Sequence, residues 1–205
     1  IVGDFDPAAI RALATELSGA WKSPSPFTRV PNPYLPPKPT VLTALTPDKA
    51  NAALFGEHPL QINDQSADLP ALMVADKILG ESPESRIPDR IREREGLSYS
   101  IQTWLSMSSF EANSPMNVYA IYAPQNRDRV KVGISEEMAR ALKDGFTEAE
   151  VATAKRALMQ ARRIARAQDG ALAGGLALQS YIGRTWDYTA KVDAGIEAVT
   201  VATAK

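Results

Sequence analysis

Ile91-Arg92-Glu93-Arg94-Glu95-Gly96-Leu97-Ser98-Tyr99-Ser100-Ile101 passes from a charged helix, through a glycine turn, into a strand. That helix is predicted over residues 85–95 and the strand over 97–107, with a second strand over 116–123 beyond a polar loop through Glu111, Asn113 and Pro115. Helices follow over residues 127–142 and from Thr147 to about Ala167. The second opens on Thr147-Glu148-Ala149-Glu150, a capping box, with Phe146 and Val151 spaced as a hydrophobic staple. Upstream, residues 40–45 and 51–58 read as two strands about the Thr46-Pro47-Asp48 turn, and 68–79 as a helix stopped by Gly80. Strands in consecutive pairs and helices in consecutive pairs define an α+β fold: two layers, a mostly antiparallel mixed sheet, helices on one face.

Towards the N-terminus, Asp6 is an N-cap and Pro7 a first helical residue. The helix to Leu17 is expected to bury Ile10, Leu13, Ala14 and Leu17. Seven prolines between Ser23 and Pro39 exclude helix and central strand, leaving a semi-rigid linker. Towards the C-terminus, residues 170–175 are expected to interrupt the helical pattern at Gly174-Gly175, which resumes over 176–182 and 190–198. Val151-Ala152-Thr153-Ala154-Lys155 recurs as Val201-Ala202-Thr203-Ala204-Lys205, and two copies of so short a string are read as coincidence.

Composition narrows the chemistry. The 205 residues contain no Cys, which excludes a disulfide framework, a thiolate zinc site and a Cys nucleophile. The single His, His58, lies in Leu54-Phe55-Gly56-Glu57-His58, which ends like H-x-x-E-H but has Leu at the first ligand position and sits in a predicted strand. A zinc site within this chain is not expected, because such sites take three or four ligands. A net charge of -1 demands no nucleic acid. The longest uncharged stretches, of 15 residues, are too short to span a membrane. Lack of Cys fits the bacterial cytoplasm and periplasm alike. The opening Ile1-Val2-Gly3-Asp4, without an initiator Met, reads as cut from a longer protein.

Two constellations remain. Arg92 on the helix and Tyr99 on the strand could bring two donors to one cleft, as a peptide carbonyl becoming an oxyanion requires. The plainer reading puts Leu97, Tyr99 and Ile101 together on one strand face in the core, with Arg92 paired to Glu95 or Asp89. The other constellation is the basic run Lys155, Arg156, Arg162, Arg163 and Arg166, read by default as a solvated helix face. Without interleaved aromatics it is a poor nucleic-acid site.

The order of several pieces carries a resemblance. Gly3-Asp4-Phe5-Asp6-Pro7, Ile78-Leu79-Gly80, Ser85-Arg86-Ile87, residues 91–100, and Gly145-Phe146-Thr147-Glu148-Ala149-Glu150-Val151 with Ala154-Lys155 succeed one another. Gly183-Arg184-Thr185-Trp186-Asp187-Tyr188 and Ala198-Val199-Thr200 complete the series. Over nearly its whole length the chain resembles the insulinase or pitrilysin-type zinc metallopeptidases, the inverzincins. The resemblance implies a substrate-binding domain without the zinc motif, inactive alone, with no catalytic residue or metal ligand of its own. The resemblance further implies that zinc belongs to another domain of the parent or to a partner subunit of the same family. Arg92 and Tyr99 resemble the family's Arg and Tyr, which implies that they hydrogen-bond peptide substrate near the scissile bond.

The resemblance also implies boundaries: residues 1–22 close a preceding domain, 23–39 link, and 40–205 form the zinc-free domain up to just before its last strand. Ile1 to Asp4 are expected to fill the vacant strand position. The alternative within the family is a non-catalytic scaffold or assembly subunit, and outside it an α+β adaptor using the basic helix around Arg162.

Overall fold

A computed structural model describes residues 1–204 of the chain. The elements are α1 (Pro7–Ser18), β1 (Ala52–Leu60), α2 (Leu69–Leu79) and α3 (Arg86–Pro88), which continues as a π-helical stretch, Asp89–Arg94. Next come β2 (Ser98–Leu105), β3 (Ser114–Tyr122), α4 (Arg127–Asp144), α5 (Glu148–Arg166), α6 (Asp169–Tyr181) and α7 (Asp187–Ala198). The sheet order is β1-β3-β2, antiparallel on both sides of the central β3. The α+β expectation holds, and the described sheet is antiparallel throughout rather than mixed.

Local chemistry sets several helix ends. The Asp6 carboxylate accepts the Ala8 amide at 2.8 Å and starts α1. The capping box of α5 is complete: Thr147 Oγ1 accepts the Glu150 amide at 3.2 Å, and the Glu150 carboxylate accepts the Thr147 amide at 2.7 Å. Gly80 ends α2 where the helix meets β2. Its carbonyl accepts the Thr103 amide at 3.0 Å, and a Cβ at residue 80 would lie 2.9 Å from that same nitrogen.

The core lies between one sheet face and the helices. Ile101 and Ala120 from the sheet pack with Val74, Ile78 and Leu79 of α2, Ile87 and Ile91 of the third helix, Val130 of α4 and Leu158 of α5. α7 contributes Val192 and Ile196. Inside this core the Asp76 carboxylate accepts Thr103 Oγ1 at 2.6 Å and the Leu105 amide at 3.1 Å. Burial pushes its pKa up, because the charged form loses water there. Asp76 thereby ties α2 to β2.

Several expectations are corrected. Residues 40–45 form no strand, and Val41, Leu42 and Leu45 lie exposed. β-branched residues make a strand only where a neighbouring strand completes the ladder, and none lies beside them. α1 forms but buries nothing: Leu17 is 75% exposed, since no described element packs on its apolar stripe. Ile1 to Asp4 join no strand. Residues 170–175 do not break the helix; α6 runs through both glycines. Gly175 permits contact with Trp186, whose ring carbons would lie 3.2 Å from a Cβ at that position. On α5, Val151, Ala154 and Leu158 are buried, whereas Ala161 and Ala165 are exposed. The repeated five-residue string is helical in α5 but a turn at 201–203, with Lys205 outside the described residues.

Candidate functional site

The Gly96 turn presents Arg92 from one side and Tyr99 from the other. Before the turn, the Glu95 amide reaches back five residues to the Arg90 carbonyl at 3.0 Å, and the Leu97 amide six residues to Ile91 at 2.8 Å. This closure is one residue wider than the usual Schellman ending, as π-helical winding requires. Gly96 sits at φ 60°, a left-handed conformation that glycine adopts without a Cβ penalty. Ile91 and Leu97 are buried, and Asn126 Nδ2 donates to the Leu97 carbonyl at 3.0 Å, so both ends of the turn are fixed.

After the turn, a bulge sets the direction of Tyr99. Ser98 faces Tyr122 and Ser100 faces Ile121, which leaves Tyr99 as the extra residue between consecutive partners on β3. The Ser98 hydroxyl lies 2.7 Å from the Ile121 carbonyl and 2.8 Å from that of Ser100, fixing the irregularity from inside. A bulge breaks the two-residue alternation and re-aims a side chain. Leu97 and Ile101 are accordingly buried while Tyr99 is 80% exposed. Placing Tyr99 in the core with its neighbours, as simple alternation suggests, is therefore incorrect.

Charge pairing distinguishes the three arginines of the π-helical stretch. Arg90 donates to Glu95 at 2.8 Å and pairs with Glu136 and Glu137 on α4. Glu95 and then Glu136 hold its guanidinium even more firmly protonated than usual, and Arg90 in turn lowers the Glu95 pKa. Arg94 is taken by Asp89 at 2.8 Å. Arg92 pairs with neither Glu95 nor Asp89, contrary to the plainer expectation. Its contact is with Glu93 at 3.3 Å, both side chains about half exposed. Exposed pairs of this kind are weak and exchange easily with other acceptors.

The remaining motif segments hold this surface in place. Arg86 donates to Glu150 through Nε at 2.6 Å and Nη2 at 2.8 Å, donates to the Gly145 carbonyl at 3.1 Å, and stacks on Phe146. Arg86 is the main cause that holds the Glu150 carboxyl down at about 2. Arg184 grips Asp64 with two donors at 2.8 and 2.7 Å, and Tyr188 Oη donates to the Asp64 carbonyl at 2.7 Å. Ser85-Arg86-Ile87 is thus bound to residues 145–151, and residues 183–188 to the loop before α2. Nothing in the local pattern of the sequence marks Asp64 or Glu150 as the partners, because the pairs are 120 and 64 residues apart.

The basic run on α5 is structural in part. Arg162 and Arg166 both pair with Asp193 of α7, and Lys155 donates to the carbonyls of Glu197 and Val199 at the end of that helix. The donor set does not fit zinc either. His58 is exposed on β1, and no group of three His, Cys, Asp or Glu among the described residues could hold a metal. No helix among them is long and apolar enough to cross a membrane. A cleft of about 630 Å³ lies beneath α6, lined by Met73, Leu158, Leu172 and Trp186, and neither Arg92 nor Tyr99 reaches it.

Comparison with known proteins gives three results. A family model described as the inactive domain of peptidase M16 matches residues 1–158. An uncharacterized zinc protease of Mycobacterium leprae is 39% identical over 88 residues, 43% of this chain and 19% of that protein. The crystal structure of a protease from Helicobacter pylori superposes with a TM-score of 0.75 at 15% identity, covering 99% of this chain and 49% of that one. The matched segment therefore corresponds to about a fifth of the first relative, and nearly the whole chain to about half of the second.

Proposed function

The chain belongs to the peptidase M16 family, in which it is an inactive domain, and on that premise we propose that it forms the zinc-free, substrate-contacting wall of a zinc protease. Arg92 and Tyr99 are the contacts. A peptide carbonyl gains negative charge on its oxygen as the scissile carbon is attacked, and donors already in position stabilise that charge. The guanidinium supplies fixed N–H donors and the phenol one O–H. Zinc would be held by another domain of the same protein or by a partner subunit of the family, and would supply the activation of the attacking water. No residue of this chain is a ligand in that step.

The bulge at Tyr99 carries the reading. A tyrosine aimed outward by a specific irregularity, on a turn anchored by Ile91 and Leu97, is a preorganised donor rather than core filling. Arg92 supports it because its one ion pair is a 3.3 Å contact with its half-exposed neighbour Glu93, longer than the 2.8 Å pair of Arg94 with Asp89. In the same reading, residues 1–22 close a preceding domain, 23–39 link, and 40–205 are the zinc-free domain; the uncovered apolar stripe of α1 supports this.

Fluorescence anisotropy with a labelled unfolded peptide tests the contacts. Arg92→Ala and Tyr99→Phe should each weaken binding several-fold, whereas Arg163→Glu, at an exposed position of the basic helix, should leave it unchanged. The opposite pattern assigns binding to the basic helix and removes the proposal. Chelator-sensitive peptide hydrolysis by the purified chain would overturn the separation of zinc from this domain.

A further inference from the structure

The proline-rich linker is fastened at one point, and the fastening joins three separate parts of the chain. Arg29 lies within the linker, and its Nη1 donates to Glu111 Oε2 at 3.0 Å while its Nη2 meets Oε1 of the same carboxylate. The guanidinium also covers the Phe110 ring at 4.4 Å, and Phe110 stands edge-on to Tyr181 at the end of α6, with centroids 6.1 Å apart. Three residues on, the Asn32 carbonyl accepts Asn113 Nδ2 at 3.4 Å. Arg29 lowers the Glu111 pKa, with the Asn32 amide adding to the effect. A guanidinium forked onto a carboxylate with its face on an aromatic ring has a defined orientation, which a single lysine contact would lack.

We propose that Arg29, Glu111 and Phe110 form a strap that docks the linker on the β2–β3 loop and so sets the direction in which the chain runs back to α1. Proline density makes one anchor effective. In a flexible linker a single contact orders only its neighbours, but Pro26, Pro31 and Pro33 restrict the backbone on both sides of Arg29. Through Phe110 and Tyr181 the strap also couples the linker to α6, a helix with no fully buried residue of its own. Release of the strap frees whatever precedes the linker to move relative to this domain. The inference is independent of the roles of Arg92 and Tyr99, and its failure would leave them untouched.

Limited trypsinolysis with mass-spectrometric readout tests it. Trypsin must take the side chain at the cleavage site into its own pocket, so a strapped Arg29 resists cutting at Arg29-Val30. Lys22-Ser23, in the same exposed region, is the internal reference. In the unaltered chain the Arg29 site should be cut several times more slowly than Lys22. Glu111→Gln should raise the Arg29 rate roughly three- to tenfold, and Phe110→Leu somewhat less, at an unchanged Lys22 rate. Half-molar salt should speed Arg29 cleavage, relative to Lys22, in the unaltered chain but not in Glu111→Gln. Equal cutting at the two sites in the unaltered chain, or a ratio unmoved by Glu111→Gln, overturns the strap.

Discussion

Glu150→Gln removes the charge at the centre of the Arg86 cluster while keeping shape and one acceptor oxygen. In the native protein the carboxylate receives two hydrogen bonds from Arg86 and closes the α5 capping box with Thr147. Its pKa falls from an ordinary 4.5 to about 2, principally through Arg86. At about 1.4 kcal/mol per unit, that displacement sets a ceiling near 3 kcal/mol on the stability supplied by the ionised form. The carboxylate keeps 29% of its side-chain surface in water, so screening reduces the expected value to about 1–2 kcal/mol. For a chain of this size the melting temperature should drop by roughly 2–8 °C at pH 7. The native pKa is lowered, so the contribution is complete above about pH 4.5 and is lost as pH falls towards 2. Thermal melts followed by circular dichroism should therefore show a gap between Glu150→Gln and the unaltered chain that is full at pH 7 and shrinks steadily below pH 4.5. A gap below 0.5 kcal/mol at pH 7, or one of constant size down to pH 2.5, would refute the assignment.

Two further substitutions test the core. Asp76→Ala leaves the Leu105 amide and the Thr103 hydroxyl without their acceptor and should cost about 1–3 kcal/mol in urea unfolding at pH 7; an unchanged midpoint would mean that the carboxylate is not the tie between α2 and β2. Gly80→Ala introduces a Cβ at 2.5 Å from Thr103 Oγ1 and 2.9 Å from the Thr103 backbone nitrogen, so α2 and β2 must separate. The expected loss is about 1–3 kcal/mol, and a neutral result would show that the two elements stand farther apart.

What the sequence reveals and conceals follows from the range of the interactions involved. The ends of α1 and α5 are legible because Asp6, and Thr147 with Glu150, cap backbone groups two or three residues away. The direction of Tyr99 is not, because the bulge exists only in the pairing with Tyr122 and Ile121 of β3. Setting Arg90 apart from Arg92 and Arg94 likewise needs α4, whose Glu136 and Glu137 engage Arg90. Residues 40–45 have strand composition but no partner, and the Gly174-Gly175 pair has loop composition but packs beside Trp186. In each of these cases local preference gives way to tertiary contact. The resemblance was legible from the order of short segments, and the structure supplies physical reasons for two of them: Arg86 reaches Glu150, and Arg184 reaches Asp64.

The most direct test of the proposed substrate contact is the turnover number of the longer zinc-bearing protein carrying Tyr99→Phe. The phenol is 80% exposed and takes no part in the core, so the melting temperature should stay within about 1 °C of the unaltered protein. Loss of an oxyanion donor should lower kcat about 100-fold or more. A kcat within twofold of the unaltered enzyme, at unchanged stability, would contradict the role assigned to Tyr99.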